Sequence, residues 1–317
     1  MKILILGGHG FIGCQVSNIL VNQGHTVAVV DNNDNYNDIP KWEFKEILNQ
    51  KIIQANTDLI FDTNINEQSN LDKIFYNFLP DVVIHLATYA NAHFVKDNPV
   101  IATDNMITST IKILDLCKQY NTKRFVFASS SMVYGNFTTA YEDQYCNPNT
   151  LYGSFKLQGE FITKNICSQH GIEWVVLRPS SVYGYPDFRL RVISKMVDKA
   201  ISHKKIKVIG NESLDFTFVR DLANYFANAA TNSRAANQVF NATRGRARKL
   251  LDVAEIIKQE IGGEIELTER DGLYPSRGTL NSDKIINTLQ YNPQTDIESG
   301  IKNYINWFQN QDYYKSN

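Results

Sequence analysis

The sequence predicts an α/β protein: a doubly wound parallel sheet followed by a smaller C-terminal α/β lobe. Three features carry this expectation. Short, continuously apolar runs recur along the first half, the pattern of parallel strands buried on both faces. Helical stretches separate them. A glycine-rich turn joins the first apolar run to the first helix.

Residues 3–6 are the first such run, and residues 11–21 read as the helix after the turn, stopped near Gly24. Residues 26–30 form a second strand that ends at Asp31, completing a βαβ unit. The alternation continues with strands at 51–54, 81–86, 124–128 and 174–177, and with helices at 70–78, 99–120 and 149–169. Right-handed crossovers leave few other topologies. Past Arg178-Pro179 the rhythm loosens. Helices fit 191–203, 219–230, 250–261 and 297–309, and short strands fit 207–209, 239–241 and 264–267. The expected division is a first lobe over residues 1–178 and a second over 179–317. The Asn/Asp-rich segment 32–37 reads as a surface loop.

Composition narrows the function by exclusion. Hydrophobic residues are 43% and charged residues 21% of the 317, which argues against a disordered or fibrous chain. Lys plus Arg number 32 against 33 Asp plus Glu, so the basic excess of a nucleic-acid binder is missing. No run approaches the ~18 apolar residues of a membrane span. The apolar start is cut off by Gly7-Gly8 too early for an export signal. Cys14, Cys117, Cys146 and Cys167 form no CxxC pair and no metal-ligand spacing, as free thiols of a reducing compartment would. The expectation is a soluble cytoplasmic protein with no metal, nucleic-acid or membrane partner.

The turn reads Gly7-Gly8-His9-Gly10-Phe11-Ile12-Gly13. Its glycines suit a tight turn, a close approach of backbone to a pyrophosphate, and close packing of helix on strand. The helix that follows offers unpaired N–H groups and its positive dipole end to phosphate. Asp31 lies eighteen residues after Gly13, near the ~20 at which a carboxylate meets the adenosine ribose in a Rossmann-type dinucleotide site. A carboxylate there repels a 2′-phosphate, so NAD is expected over NADP. Asp58-Leu59 follows the strand expected at 51–54 and would lie at the adenine edge.

Tyr152 and Lys156 are four residues apart in a helical stretch and so share a face. A free phenol has a pKa near 10 and is a poor base at neutral pH. A neighbouring ammonium favours the phenolate and makes Tyr152 a workable general base. Ser129-Ser130-Ser131 ends the strand at 124–128, on the carboxyl edge where such sheets bind ligands.

With these residues in hand, the chain resembles the extended short-chain dehydrogenases/reductases of the NAD-dependent epimerase/dehydratase family. The matching features run in order along nearly the whole chain: Gly7-x-x-Gly10-x-x-Gly13, Asp31-Asn32, His85-Leu86-Ala87, Asn105, Ser129 to Gly135, Tyr152-x-x-x-Lys156, Leu177-Arg178-Pro179, Val182-Tyr183-Gly184, Asp215 to Val219 and Arg277-Gly278. The resemblance implies a nucleotide-sugar enzyme with tightly held NAD. It places the family's catalytic Ser/Thr on Ser130, with Ser131 as the adjacent alternative. It places Leu86, Ala87, Thr88 and Asn105 along the cofactor and Pro179 near its nicotinamide end. It also implies a homodimer built through the helices at 99–120 and 149–169.

Within the family the motifs look most like the UDP-glucose 4-epimerase branch. The 4,6-dehydratases carry Asp-Glu after their catalytic Thr, where this chain has Ser131-Met132. A one-way 4-dehydrogenase or 4-keto reductase on the same scaffold is the alternative, and a non-catalytic NAD-sensing module the remote one. Three positions depart from the family: Leu214 stands where an arginine often binds the sugar-nucleotide phosphates, Ser181 where an asparagine is common, and Arg220 where an acid is common. Arg189, Arg191 or Arg277 would then supply the phosphate charge. Ser130, Ser131, Tyr152, Ser181, Arg191, Arg277 and His93 are the expected substrate contacts.

Overall fold

The computed structural model describes residues 1–210, 212–269 and 275–311. β1 (Lys2–Leu6) leads through the glycine turn into α1 (Gly13–Asn22), followed by β2 (Thr26–Asp31), α2 (Lys41–Ala55), β3 (Ile60–Asp62), α3 (Gln68–Phe78) and β4 (Val82–His85). Next come α4 (Ala92–Asp97), α5 (Pro99–Thr103), a π-helical turn over Asp104–Thr108, and α6 (Ser109–Gln119). Then follow β5 (Arg124–Ala128), a 3-10 turn over Ser131–Tyr134, β6 (Thr139–Ala140), α7 (Leu151–Gln169) and β7 (Glu173–Arg178). The second half adds β8 (Ser181–Tyr183), α8 (Val192–Ile201), β9 (Ile206–Ile209), β10 (Ser213–Phe218), α9 (Val219–Thr231), β11 (Gln238–Asn241) and β12 (Ala247–Lys249). It closes with α10 (Leu250–Ile261), β13 (Ile265–Thr268), β14 (Thr279–Leu280), α11 (Asp283–Leu289) and α12 (Ile297–Gln309).

Seven strands form one parallel sheet in the order β11-β7-β5-β4-β1-β2-β3, the doubly wound Rossmann-type arrangement. Successive side chains of a strand point to opposite faces, so each strand feeds two cores. Ile3 and Ile5 of β1 pack with Val16 and Leu20 of α1 and Leu222 and Phe226 of α9. Leu4 and Leu6 pack on the other face with Leu71 and Phe75 of α3 and Ile113 and Leu114 of α6. The direction of winding reverses between β1 and β4, and the crevice outside their carboxyl ends is where such sheets bind ligands.

Several expected elements hold their bounds closely. α10 and α12 span the expected residues, and α7 starts at Leu151 because Thr150 caps it, its hydroxyl accepting the Gly153 N–H at 3.1 Å. Two expectations need correction, and two hold with a local refinement. Residues 51–54 are the last turn of α2, not a strand; the third strand is β3, nine residues later. The helix expected over 99–120 is continuous from Pro99 to Gln119, with α5 passing through the π-helical turn into α6. Segment 32–37 is a loop, but Tyr36 is turned inward, with its ring centroid 4.9 Å from Tyr89 and 5.3 Å from Phe94. The chain also crosses the division expected at residue 178. β11 returns to pair with β7, and α9 packs on α1, so residues 219–241 complete the first sheet and its cover. A separate core gathers Met196, Phe216, Val253, Ile301 and Phe308 of the second lobe. Among the described residues, no helix is long and apolar enough to cross a membrane.

Candidate active site

The glycine turn closes on itself: Gly7 donates its N–H to Val30 O, and Gly10 to Gly7 O at 3.1 Å. A Cβ on Gly13 would stand 2.2 Å from Gly7 O, so any side chain there opens the turn. Gly7 holds φ +85°, and a Cβ on it would meet the Ala87 backbone nitrogen at 2.6 Å. α1 begins at Gly13, and the N–H groups of Phe11 and Ile12 ahead of it have no acceptor among the described residues. This is the unpaired end of a helix that phosphate satisfies.

Asp31 ends β2 beside the turn. Its Oδ2 accepts the His9 N–H and its Oδ1 the Asn33 N–H, each at 3.0 Å. A carboxylate has about four lone-pair sites, so both oxygens keep capacity for ribose hydroxyls. Asn32 beside it is exposed. Leu86, Ala87 and Thr88 follow β4 at the same edge, and Asn105 in the π-helical turn accepts the Tyr89 N–H at 3.3 Å. Asp58 and Leu59 do not share that edge. They precede β3, and Leu59 O accepts from Val29 in mid-strand. The neighbour of Asp31 at the carboxyl end is Asp62. The misplaced strand at 51–54 carried this expectation with it.

The Ser, Tyr and Lys residues come from two elements facing one another across the β5 end. Ser130 caps the 3-10 turn in extended conformation, and its Oγ accepts the Met132 N–H at 3.2 Å. Ser131 is pinned by its N–H to Pro179 O at 2.8 Å. From α7, Lys156 donates to Ala128 O at 2.8 Å and lies 5.8 Å from the Tyr152 ring centroid. Burial pushes the Lys156 ammonium down to about 7. Burial also raises the Tyr152 phenol well above its ordinary value, and the Tyr36 phenol adds to this; Arg191, a hydrogen bond with Ser130, and Arg277 pull it back. The expected acidification by Lys156 is therefore absent from the protein alone. Its charge is itself weakened by desolvation, and Lys156 is engaged with a carbonyl. Behind it His85 is held neutral, pushed by burial and Lys156 down to about 3, with Nε2 3.2 Å from Thr110 Oγ1.

The substrate-side residues divide. Ser181 opens β8 opposite Phe216, and Leu214 is buried in the second-lobe core. Arg277 precedes β14, which pairs with β6 just beyond the serine turn, and its charge reaches Tyr152. Arg191 also reaches Tyr152, but its guanidinium stands 4.8 Å over the Phe11 ring. Arg189 is bound to Glu43 at 2.7 Å and Asp198 at 3.1 Å, a lobe-to-lobe tie. His93 is exposed on the first turn of α4. Sequence reasoning missed Tyr36, whose phenol nears Tyr152, and Ser180; the only signal for Tyr36 was an aromatic residue within a polar loop.

Four buried polar atoms near these strand ends, His9 Nε2, Thr88 Oγ1, Ser131 Oγ and Ser180 Oγ, have no partner among the described residues. Together with the free N–H groups of Phe11 and Ile12, they fit a dinucleotide and a polyhydroxylated substrate meeting at this edge.

Comparison with known proteins agrees. The model of the NAD dependent epimerase/dehydratase family matches residues 3–243. A protein of Methanocaldococcus jannaschii named as a putative UDP-glucose 4-epimerase is 34% identical, covering 97% of this chain and 98% of that one. The UDP-glucuronic acid 4-epimerase of Bacillus cereus, solved with UDP-glucuronic acid and NAD, superposes with a TM-score of 0.88 at 22% identity over 98% of this chain and 99% of that one. The Thermus thermophilus UDP-glucose 4-epimerase, solved with NAD, gives 0.85 at 21% identity with the same coverage. At that identity the two structures establish the fold, while the family model spans most of the chain and its motifs from the glycine turn to Asp215–Val219. The chain belongs to the NAD-dependent epimerase/dehydratase family, and its cofactor is NAD.

Proposed function

We propose that the protein is a nucleotide-sugar 4-epimerase acting on a UDP-sugar. One observation carries the reading: the serine turn brings Ser130 to a single base, Tyr152, and the two positions after Ser130 are the buried, uncharged Ser131 and Met132. Water elimination needs a further acid and base; inversion at one carbon needs one base used twice. NAD supplies the hydride acceptor and donor, and its oxidised ring is a cation that favours the phenolate. Tyr152 takes the proton of the sugar 4-hydroxyl and later returns it. Ser130 has its oxygen lone pair on Met132, which leaves its proton for the substrate oxygen. Lys156, fixed by its bond to Ala128 O, would hold the cofactor ribose. Arg277 and Ser181 hold the nucleotide diphosphate and sugar from the second lobe, which keeps the substrate near while its sugar turns.

The test is incubation with UDP-sugars followed by NMR. The expected result is a pair of C4 epimers reaching equilibrium with no added oxidant and no net NADH absorbance. Accumulation of NADH, or dependence on an external acceptor, would assign a one-way oxidoreductase instead.

We further propose a cytoplasmic homodimer joined through α5, α6 and α7. Support comes from the apolar residues these helices leave outside: Val100 is 75% exposed, Ile101 52% and Phe161 56%. Sedimentation is expected to give twice the chain mass, and Phe161→Lys with Ile101→Lys to give monomers. A wild-type monomer at micromolar concentration would end this reading.

A further inference from the structure

Residues 184–191 form a short strap from β8 to α8, bound mainly to the first lobe. Gln15 of α1 donates to Tyr185 O at 2.9 Å. Phe188 stacks on Phe44 of α2 with centroids 5.6 Å apart, and the Lys51 ammonium sits 3.9 Å over its ring. Arg189 reaches Glu43 of α2, which is 3% exposed. The strap therefore has a fixed position over the start of α1.

Arg191 ends this strap. Asp187, itself buried, accepts its Nε at 2.7 Å. Its guanidinium lies 4.8 Å over Phe11, the residue whose N–H is free at the mouth of the glycine turn. Both Nη groups have no partner among the described residues. A planar fork with its Nε spent and its outer nitrogens open matches two oxygens of a diphosphate.

We propose that Arg191 binds the diphosphate of the NAD held at the glycine turn, so that the second lobe clasps the cofactor as well as the substrate. Phe11 decides for the cofactor: it belongs to the turn, whereas Arg277 stands beside the serine turn on the sugar side. A cofactor clasped from both lobes is retained between oxidation and re-reduction, a consequence that rests on the epimerase reading. The binding itself does not.

The test compares wild-type holoprotein with Arg191→Gln, Arg191→Lys and Asp187→Asn. The half-time of NAD loss on dialysis is measured first. The emptied protein is then titrated with ADP-ribose, adenosine and UDP. Arg191→Gln is expected to shed NAD faster and to weaken ADP-ribose about tenfold or more, the worth of a charge-assisted pair, while adenosine and UDP bind as in wild type. Arg191→Lys is expected to fall between, and Asp187→Asn to weaken ADP-ribose less than Arg191→Gln. Unchanged ADP-ribose affinity in Arg191→Gln overturns the proposal, as does a loss confined to UDP, which would assign the guanidinium to the substrate's diphosphate. Should Arg191→Gln not fold, unchanged ADP-ribose affinity in Asp187→Asn overturns it equally. Failure of the epimerase reading is separate: wild type would yield no C4 epimer while these affinities still shift.

Discussion

Tyr152→Phe is expected to lower turnover by about 10²–10⁴-fold, the usual contribution of a positioned general base, and to leave NAD bound. The substitution removes one oxygen and little else. The Tyr152 ring packs against the cluster of Val95, Ala102, Met106 and Phe155, and phenylalanine keeps those contacts. Lys156 keeps its bond to Ala128 O, and the glycine turn is untouched. What is lost is the phenolic oxygen beside Ser130, the group to which the epimerase reading gives the proton transfer. In the protein alone the phenol is raised by burial and by Tyr36, so the phenolate is scarce at neutral pH. Arg191, Ser130 and Arg277 oppose that rise, and the oxidised nicotinamide adds a further positive charge. NMR turnover assays, with the NAD content of each holoprotein as control, compare this variant with wild type. Near-wild-type turnover in Tyr152→Phe would take this residue out of the proton path.

The sequence made the site more legible than its surroundings, for a physical reason. Gly10 and Gly13 are required by backbone contacts to Gly7 and Gly8, Gly7 by its own positive φ, and Tyr152 and Lys156 pair across a single helical turn. Such constraints are local and can be read without a structure. The errors fall where partners are distant. α2 was read partly as a strand because its inward face does not look apolar. Glu43 and Lys51 are buried there, against Arg189 and Phe188 of the strap. A helix that buries charge against a partner some 140 residues away has no hydrophobic stripe to show. Asp58 and Leu59 were misplaced as a direct result. The same holds for β11, whose place beside β7 is invisible in its four residues, and for Tyr36, which lies in a polar loop yet rests on Tyr89 and Phe94. The charge of Arg191 suggests a phosphate ligand, but its place over Phe11, which bears on the choice of phosphate, is a contact across 180 residues of chain.

Glu160→Gln is expected to destabilise the folded protein by about 3–5 kcal/mol, the cost of removing one partner from a buried ion pair. Glu160 lies one and two turns beyond Lys156 and Tyr152 on the same face of α7. It is fully buried, and its two oxygens accept Arg178 Nε and Nη2, each at 2.8 Å. Burial works against the Arg178 charge, but Glu160 more than offsets it and raises its pKa. Without the carboxylate that guanidinium stays charged and loses its compensation. The pair also holds the site. Glu160 Oε1 accepts the Ser129 hydroxyl at 2.5 Å, and Arg178 donates to Tyr134 OH at 2.8 Å, which donates on to Asn241 at the end of β11. One helix face thus carries Tyr152, Lys156 and the anchor of the serine turn, and it sets their spacing as a unit. Glu160→Gln is accordingly expected to lower kcat more than it raises KM, because Ser130 moves relative to Tyr152 while the second-lobe contacts stay. Glu160→Leu combined with Arg178→Leu removes both charges and should be less destabilised than the two single variants summed. Thermal melts of the four proteins measure the coupling. A double variant that loses the full sum would show that the two charges do not depend on one another.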